Sequence, residues 1–239
     1  MRLSKKKDVF PAFLEDDATR GLAGIGGRVD LADKAHMALE QQIVTAELPP
    51  GSVWTEADLS KKLGIGRTPV REALQRLEGD YLVEIVPRLG ARITTTDIQR
   101  QLLSLEVRRV LERLIATRAA RHCTDAERTK CRELAKILDS LVDAEVLVYL
   151  RYHFRIKRYI AECARNPFAA RAIAPLLAMS RRFYYLHYRR AHDLHIAANH
   201  HAEVLRAIAD GDERIAALKS DRLMDYVDEI TRAALLRDA

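Results

Sequence analysis

Cysteine is scarce in this chain. Only Cys123, Cys131 and Cys163 occur, an odd number with no CxxC pair. Such usage excludes a disulfide scaffold and a cysteine zinc site, and points to a reducing cytoplasm. Turn formers are sparse too, with 10 Gly and 7 Pro in 239 residues, which favours helices over a strand-and-turn protein. Long apolar runs are missing: nothing beyond about ten residues lacks a charged side chain, whereas a membrane helix needs roughly 20. The basic start, Met1 to Lys7, leads into Asp8, Glu15, Asp16 and Asp17 rather than an apolar stretch, so no secretory signal is expected.

What is present suffices for a packed protein. Hydrophobic residues make up 48% and charged residues 31%, and the length fits one large or two modest domains. The net charge of +6 suits a polyanionic partner. The excess is uneven: residues 31–95 hold 8 basic and 9 acidic groups, residues 96–239 hold 26 and 20. Any nucleic-acid contact in the first of these segments must therefore rest on placement rather than bulk charge.

Residues 1–30 lack helical period, contain Gly21, Gly24, Gly26 and Gly27, and read as a flexible arm whose Lys5, Lys6 and Lys7 are solvated or touch phosphate. From Leu31, the residues Ala35, Leu39, Ile43 and Ala46 recur at helical spacing until Pro49-Pro50. Thr55 precedes Glu56-Ala-Asp58, a capping signal for a short helix. After Gly64-Ile-Gly66, Thr68 reads as a cap and Pro69 as the first residue of a second helix, with Val70, Ala73, Leu74 and Leu77 as its buried stripe. Val83, Ile85, Ala91 and Ile93 alternate around Pro87-Arg-Leu-Gly90 and predict a small hairpin. Two short helices, a glycine turn and a hairpin predict a winged helix-turn-helix over residues 31–95. Arg67, Thr68, Arg71, Glu72, Gln75 and Arg76 lie off the apolar stripe. Arg pairs bidentately with guanine, Gln with adenine, and a helix N-terminus suits phosphate.

From Asp97 onward the pattern is helical. One face is read as Val107, Val110, Leu111, Leu114, Ile115 and Arg118, followed by faces at Leu134–Leu141, Tyr149–Ile160, Ile173–Tyr188, His201–Ile208 and Ala216–Ile230. The expected fold is mainly α: the winged domain with a small β-hairpin wing, and an all-α helical bundle over residues 96–239 for effector binding and dimerisation.

The string Leu63-Gly-Ile-Gly-Arg-Thr-Pro-Val-Arg-Glu-Ala-Leu-Gln-Arg-Leu77, with Leu48-Pro-Pro-Gly51, Leu82-Val83 and Pro87-Arg-Leu-Gly90, closely resembles the GntR family of bacterial transcriptional regulators. The resemblance implies that Arg67, Thr68 and Arg71 meet the major groove and its phosphates and that Gly90 lets the wing approach the minor groove. Gln75 and Arg88 join this candidate DNA-binding set, Arg88 as a phosphate or minor-groove contact. Tyr81 stands where the family usually has glycine. Such a regulator is expected to be a cytoplasmic homodimer, a repressor on a short inverted repeat of double-stranded DNA, and no enzyme.

The second segment resembles the FCD effector domain of the FadR subfamily through Glu106-Val-Arg-Arg-Val-Leu-Glu112, Ala161-Glu-Cys-Ala-Arg-Asn-Pro167 and His201 to Asp212. Many such domains hold a divalent metal through one Asp and three His. The corresponding positions here are His153, Lys157, His201 and Leu223, so the resemblance implies that the usual metal site is lost and no cofactor is expected. His153, Lys157 and His201 fall on apolar faces, and Arg108 matches an arginine that often faces the family's pocket. These four are the candidate effector-binding residues, for a small organic anion such as a carboxylate. A buried Lys157 alternatively pairs with a carboxylate or reaches solvent. The histidines at 187, 192, 195, 200 and 201 include no HExxH and read as core or surface residues. Two other readings stay open: a helical domain that only dimerises, and a helical metal-dependent enzyme.

Overall fold

The computed structural model describes residues 30–141, 146–187 and 191–235. The expected arm lies outside them except for Asp30, as do Tyr188 and the side chain of His192. Asp30 is part of the first helix, α1 (Leu31–Val44): its carboxylate accepts from the Asp33 amide at 2.7 Å, and Asp33 accepts from the Asp30 amide. This reciprocal box satisfies two donors that a helix start leaves open.

The winged domain follows as β1 (Val53–Trp54), α2 (Glu56–Leu63), α3 (Arg67–Gly79), β2 (Val83–Val86) and β3 (Gly90–Ile93). Thr55 caps α2 by accepting from the Asp58 amide, and Gly64, at φ +65°, ends it. The start of α3 differs from expectation. Gly66 is the N-cap, which puts Thr68 and Pro69 at the second and third helical positions, and Thr68 does not cap. Pro69 is still tolerated, because the first four N–H groups of a helix have no intrahelical acceptor. Ala35, Leu39, Ile43, Leu59, Val70, Ala73, Leu74 and Leu77 pack together as the core of this domain.

The hairpin is antiparallel, with Val83 opposite Ile93 and Val86 opposite Gly90. The short β1 adds a third strand, which pairs with β3 and which the sequence pattern did not reveal. Ile85 corrects the alternation reading: it is exposed, because the core reaches only the base of the wing at Val83, Ala91 and Ile93. Gly90 has φ +115°, and a Cβ there would meet the Trp54 carbonyl oxygen at 2.3 Å. Its smallness is therefore required for β1 to seat on the wing, whatever its role toward DNA. Tyr81 adopts φ +62°, the left-handed region that favours glycine, with its ring exposed and at a cost in backbone strain.

The helical domain comprises α4 (Ile98–His122), α5 (Asp125–Asp139), α6 (Val146–Cys163), α7 (Pro167–His187), α8 (Ala191–Asp210) and α9 (Glu213–Leu235). Helix α4 packs against α6, α7, α8 and α9, and α5 lies on α8. The inner face of α4 is Leu105, Arg108, Glu112, Ile115, Ala116 and Ala119, while Leu103, Val107, Val110 and Leu114 form an exposed apolar stripe. The face read from the sequence is therefore split: Val107, Val110 and Leu114 are exposed and Ile115 is buried, because apolarity alone cannot anticipate that charged residues occupy the interior. Helix α7 starts six residues before the expected Ile173 and runs through Pro175.

The two domains share packing. Ala178 of α7 enters the winged-domain core, the Arg181 guanidinium pairs with Glu40 of α1, and Arg182 donates to the Thr94 hydroxyl at 3.0 Å. Among the described residues no helix is long and apolar enough to cross a membrane.

Candidate functional site

Helix α3 presents Arg67, Thr68, Arg71, Glu72 and Gln75 to solvent above the buried row Val70, Ala73, Leu74 and Leu77. Arg71 is oriented by Glu56 of α2, donating from Nε at 2.8 Å and from Nη2 at 2.7 Å. That bidentate bond, chiefly, holds the Glu56 carboxyl below its ordinary range. It leaves Nη1 and one N–H of Nη2 for an outside acceptor. Arg76 points the other way and pairs with Asp33 of α1 at 2.7 Å, so it braces α3 against α1. Lys61 and Lys62 are exposed on α2. At the wing tip Arg88 is exposed at φ +67°, two residues from Gly90. The six candidate DNA-binding residues are thus distributed over α3 and the wing, with all but the half-buried Gly90 exposed.

The four candidate effector residues converge inside the helical domain. Arg108, His153, Lys157 and His201 are all buried, and the His153 and His201 rings meet edge to face at 4.8 Å between centroids. The sequence reading missed the group at their centre, Glu112. Its Oε2 accepts from Lys157 Nζ at 2.7 Å and its Oε1 from Arg108 Nη2 at 3.0 Å. Arg108 Nη1 also donates to the Ser180 hydroxyl at 2.9 Å, and Gln101 donates to the same oxygen at 3.0 Å. The i, i+4 relation of Arg108 to Glu112 was available as a signal. Lys157 thus takes the partnered form of the two readings left open for it.

Burial by itself would raise the Glu112 carboxyl, but Lys157 and Arg108 overcome it and hold it below the ordinary value. Burial, reinforced by the Lys157 charge, pushes His153 and His201 well below theirs, so both rings are neutral. Two cations and one anion leave the cluster one positive charge in excess. Arg108 Nε and His153 Nδ1 are buried without a hydrogen-bond partner.

Comparison with known proteins agrees with both halves of the chain. The model for bacterial regulatory proteins of the gntR family matches residues 31–93, and the FCD domain model matches residues 104–226, half of the chain. This chain belongs to the GntR family, with an FCD domain. Over 128 residues it is 34% identical to an uncharacterized HTH-type transcriptional regulator from the TAR-I ttuE-ttuC' intergenic region of Agrobacterium vitis, covering 52% of this chain and 62% of that protein. Over 79 residues it is 35% identical to an HTH-type regulator in an unstable DNA locus of Streptomyces ambofaciens, a match covering 33% of each. The matches therefore span between a third and just under two thirds of these relatives. In fold it is similar to E. coli McbR/YncC, with a TM-score of 0.72 at 20% identity over 86% of this chain and 98% of that one. A GntR regulator from Rhodococcus sp. RHA1 gives 0.63 at 16% identity, over 85% and 98%. The family and the relatives are transcriptional regulators, not enzymes.

The FCD metal does not fit these residues. Lys157 is a cation bonded to Glu112, and Leu223 is a buried hydrocarbon, so neither offers a lone pair. Among the described residues no third histidine, cysteine or carboxylate joins His153 and His201 to complete a ligand set. A cavity of about 460 Å³ opens elsewhere, in the cleft between α1 of the GntR domain and α6–α7 of the FCD domain. Phe154, Arg151, Arg155, Arg158 and Arg181 line it, and the Arg181 guanidinium stacks on the Phe154 ring at 4.2 Å. Nothing in the periodicity of α1 or α6 pointed to this cleft, because it exists only where the two domains meet.

Proposed function

We propose that this GntR-family regulator is a cytoplasmic repressor that binds a short inverted repeat as a homodimer and is modulated by a small organic anion. The DNA-binding reading rests on one observation: α3 carries Arg67, Thr68, Arg71 and Gln75 outward in one polar row, with Arg71 pre-oriented by Glu56. One α3 reads only a few base pairs, and two-fold symmetry doubles the site. Selection from random duplex DNA should enrich an inverted repeat. Arg67→Ala and Arg71→Ala should each weaken binding to it by about 1–3 kcal/mol. If both variants bind the selected sequence like the parent protein, α3 is not the reading helix.

The exposed stripe Leu103, Val107, Val110 and Leu114 on α4 is the face offered for self-association. Four large apolar side chains in a row along one helix are unusual on a monomer's surface. Light scattering should give a dimer, and Val110→Asp should give a folded monomer that binds the repeat more weakly. A parent protein that is monomeric with and without DNA would remove this reading.

The effector reading is supported by the excess positive charge of the Arg108–Glu112–Lys157 cluster and by the unpartnered Arg108 Nε, both suited to a carboxylate. The arginine-lined cleft favours a second reading, with the anion between the domains. Binding there would act directly on the Arg181–Glu40 contact that joins them. Lys157→Met should abolish the response to an active organic acid if the cluster holds it. Arg155→Ala should do so if the cleft does.

A further inference from the structure

The three cysteines of this chain, separated by 8 and 32 positions in sequence, come together at one point of the FCD domain. Cys123 follows the last residue of α4, Cys131 lies on α5, and Cys163 ends α6. All three are buried and unoxidised. The Cys123 and Cys163 sulfurs and a carboxylate oxygen of Glu127, in the first turn of α5, lie within 4.8 Å of one another. Cys131, one turn beyond Glu127 on α5, is buried in the same core as Cys123 and Cys163. Small buried hydrophobes have no reason to gather, since alanine would serve each position separately.

Glu127 is partly committed already. Its Oε1 accepts from Arg165 at 2.6 Å, and its Oε2 accepts from the Thr124 amide at 2.9 Å and the Thr124 hydroxyl at 3.2 Å. A carboxylate has about four lone-pair positions, so one remains, on Oε1. These bonds fix the carboxylate beside the two sulfurs, which is the role of supporting hydrogen bonds around a metal ligand.

We propose that Cys123, Glu127 and Cys163, with Cys131 as the fourth donor, bind a single Zn²⁺ ion that clamps the ends of α4 and α6 to the start of α5. Zinc takes thiolate sulfur at about 2.3 Å and carboxylate oxygen at about 2.0–2.2 Å in a tetrahedron. Ligand atoms in such a tetrahedron lie roughly 3.5–3.8 Å apart, so Cys123, Glu127 and Cys163 need approach by only about 1 Å, and the Cys131 thiol must turn in to join them. Binding exchanges the ion for thiol protons, which leave to solvent, and needs no oxidant. A disulfide would use two sulfurs and leave the third thiol and the fixed carboxylate without a part. The site shares no residue with the buried Arg108–Glu112–Lys157 cluster. It also escapes the spacing rule that excluded cysteine zinc sites, because its ligands come from three helices rather than one local motif.

The test uses the full-length protein, reduced and stripped of metal, with Co²⁺ as a spectroscopic probe. One equivalent should produce thiolate-to-cobalt charge transfer and the visible bands of a tetrahedral ion, bleached by one equivalent of Zn²⁺. Zn²⁺ should also raise the thermal midpoint and protect the three thiols from alkylation. Cys163→Ser should reduce the charge-transfer band and weaken cobalt binding at least tenfold; Cys131→Ser, a conservative change on α5, should do the same. Should Cys163→Ser fail to fold, protection of the parent's thiols by Zn²⁺ still decides. The proposal fails if no charge transfer appears at micromolar cobalt. It fails equally if Cys163→Ser leaves both the band intensity and the cobalt affinity unchanged, or if mild peroxide joins two of the thiols in a protein that takes up no metal.

Discussion

Glu112→Ala should destabilise the protein by about 3–5 kcal/mol, the cost of breaking a buried ion pair from one side. Among the described residues the carboxylate is the only anion bonded to Lys157 and Arg108, both almost wholly buried, and its removal leaves two charges in a low-dielectric core. Neither cation can reach water by a side-chain rotation without unpacking α4 from α6. Urea denaturation of the parent and variant proteins measures the effect. The double variant Glu112→Ala/Lys157→Met should recover a large part of the loss, because one stranded cation is then gone. Lys157→Met alone should be milder, since Glu112 keeps Arg108 at 3.0 Å. A Glu112→Ala protein within 1 kcal/mol of the parent would mean that the cluster is open to solvent.

Acid should weaken the same domain before its carboxylates titrate. His153 and His201 are held neutral, first by burial and then by the Lys157 and Arg108 charges facing them. Their folded-state values lie below the ordinary histidine value of 6.5. Below that pH the unfolded chain binds protons that the folded chain does not, so stability falls as pH falls and is full above about 7. One unit below the ordinary value both histidines contribute to the loss, and their contributions sum. Glu112 is held below its ordinary range and stays ionised through this window, so the loss is assigned to the imidazoles. Unfolding free energies at pH 7.0 and 5.5 check the sum. His153→Leu should roughly halve the difference; an unchanged slope would place the titrating groups elsewhere.

The sequence by itself determined the winged domain almost completely. Its helices are short and each has one apolar stripe; Thr55 and Gly64 mark the ends of α2, whereas α1 ends at Val44, short of the expected Ala46 and of prolines 49 and 50, and α3 starts at Arg67, ahead of the Thr68-Pro69 signal. Local signals are legible because capping and turn energies depend on neighbours in the chain. The row Arg67, Thr68, Arg71 and Gln75 was legible for the same reason: helical spacing alone separates it from Val70, Leu74 and Leu77. The strand β1 escaped because two residues carry no period, and Ile85 because only contact with the core decides which end of a strand is covered.

The helical domain divided differently. Its helices and the inward direction of His153, Lys157 and His201 followed from periodicity, whereas their correspondence to the family's metal-ligand positions was implied by the resemblance alone. The sense of α4 did not, because the helix is apolar on one side and charged on the other, and burial went to the charged side through a partner, Lys157, 45 positions away. Pairing across such a separation is a tertiary event: the desolvation of Arg108, Glu112 and Lys157 is repaid only when α4 and α6 meet. The cleft of Arg151, Arg155 and Arg181 and the meeting of Cys123, Cys131 and Cys163 have the same origin. Each joins helices whose order in space is set by packing of the whole domain, which no local pattern encodes.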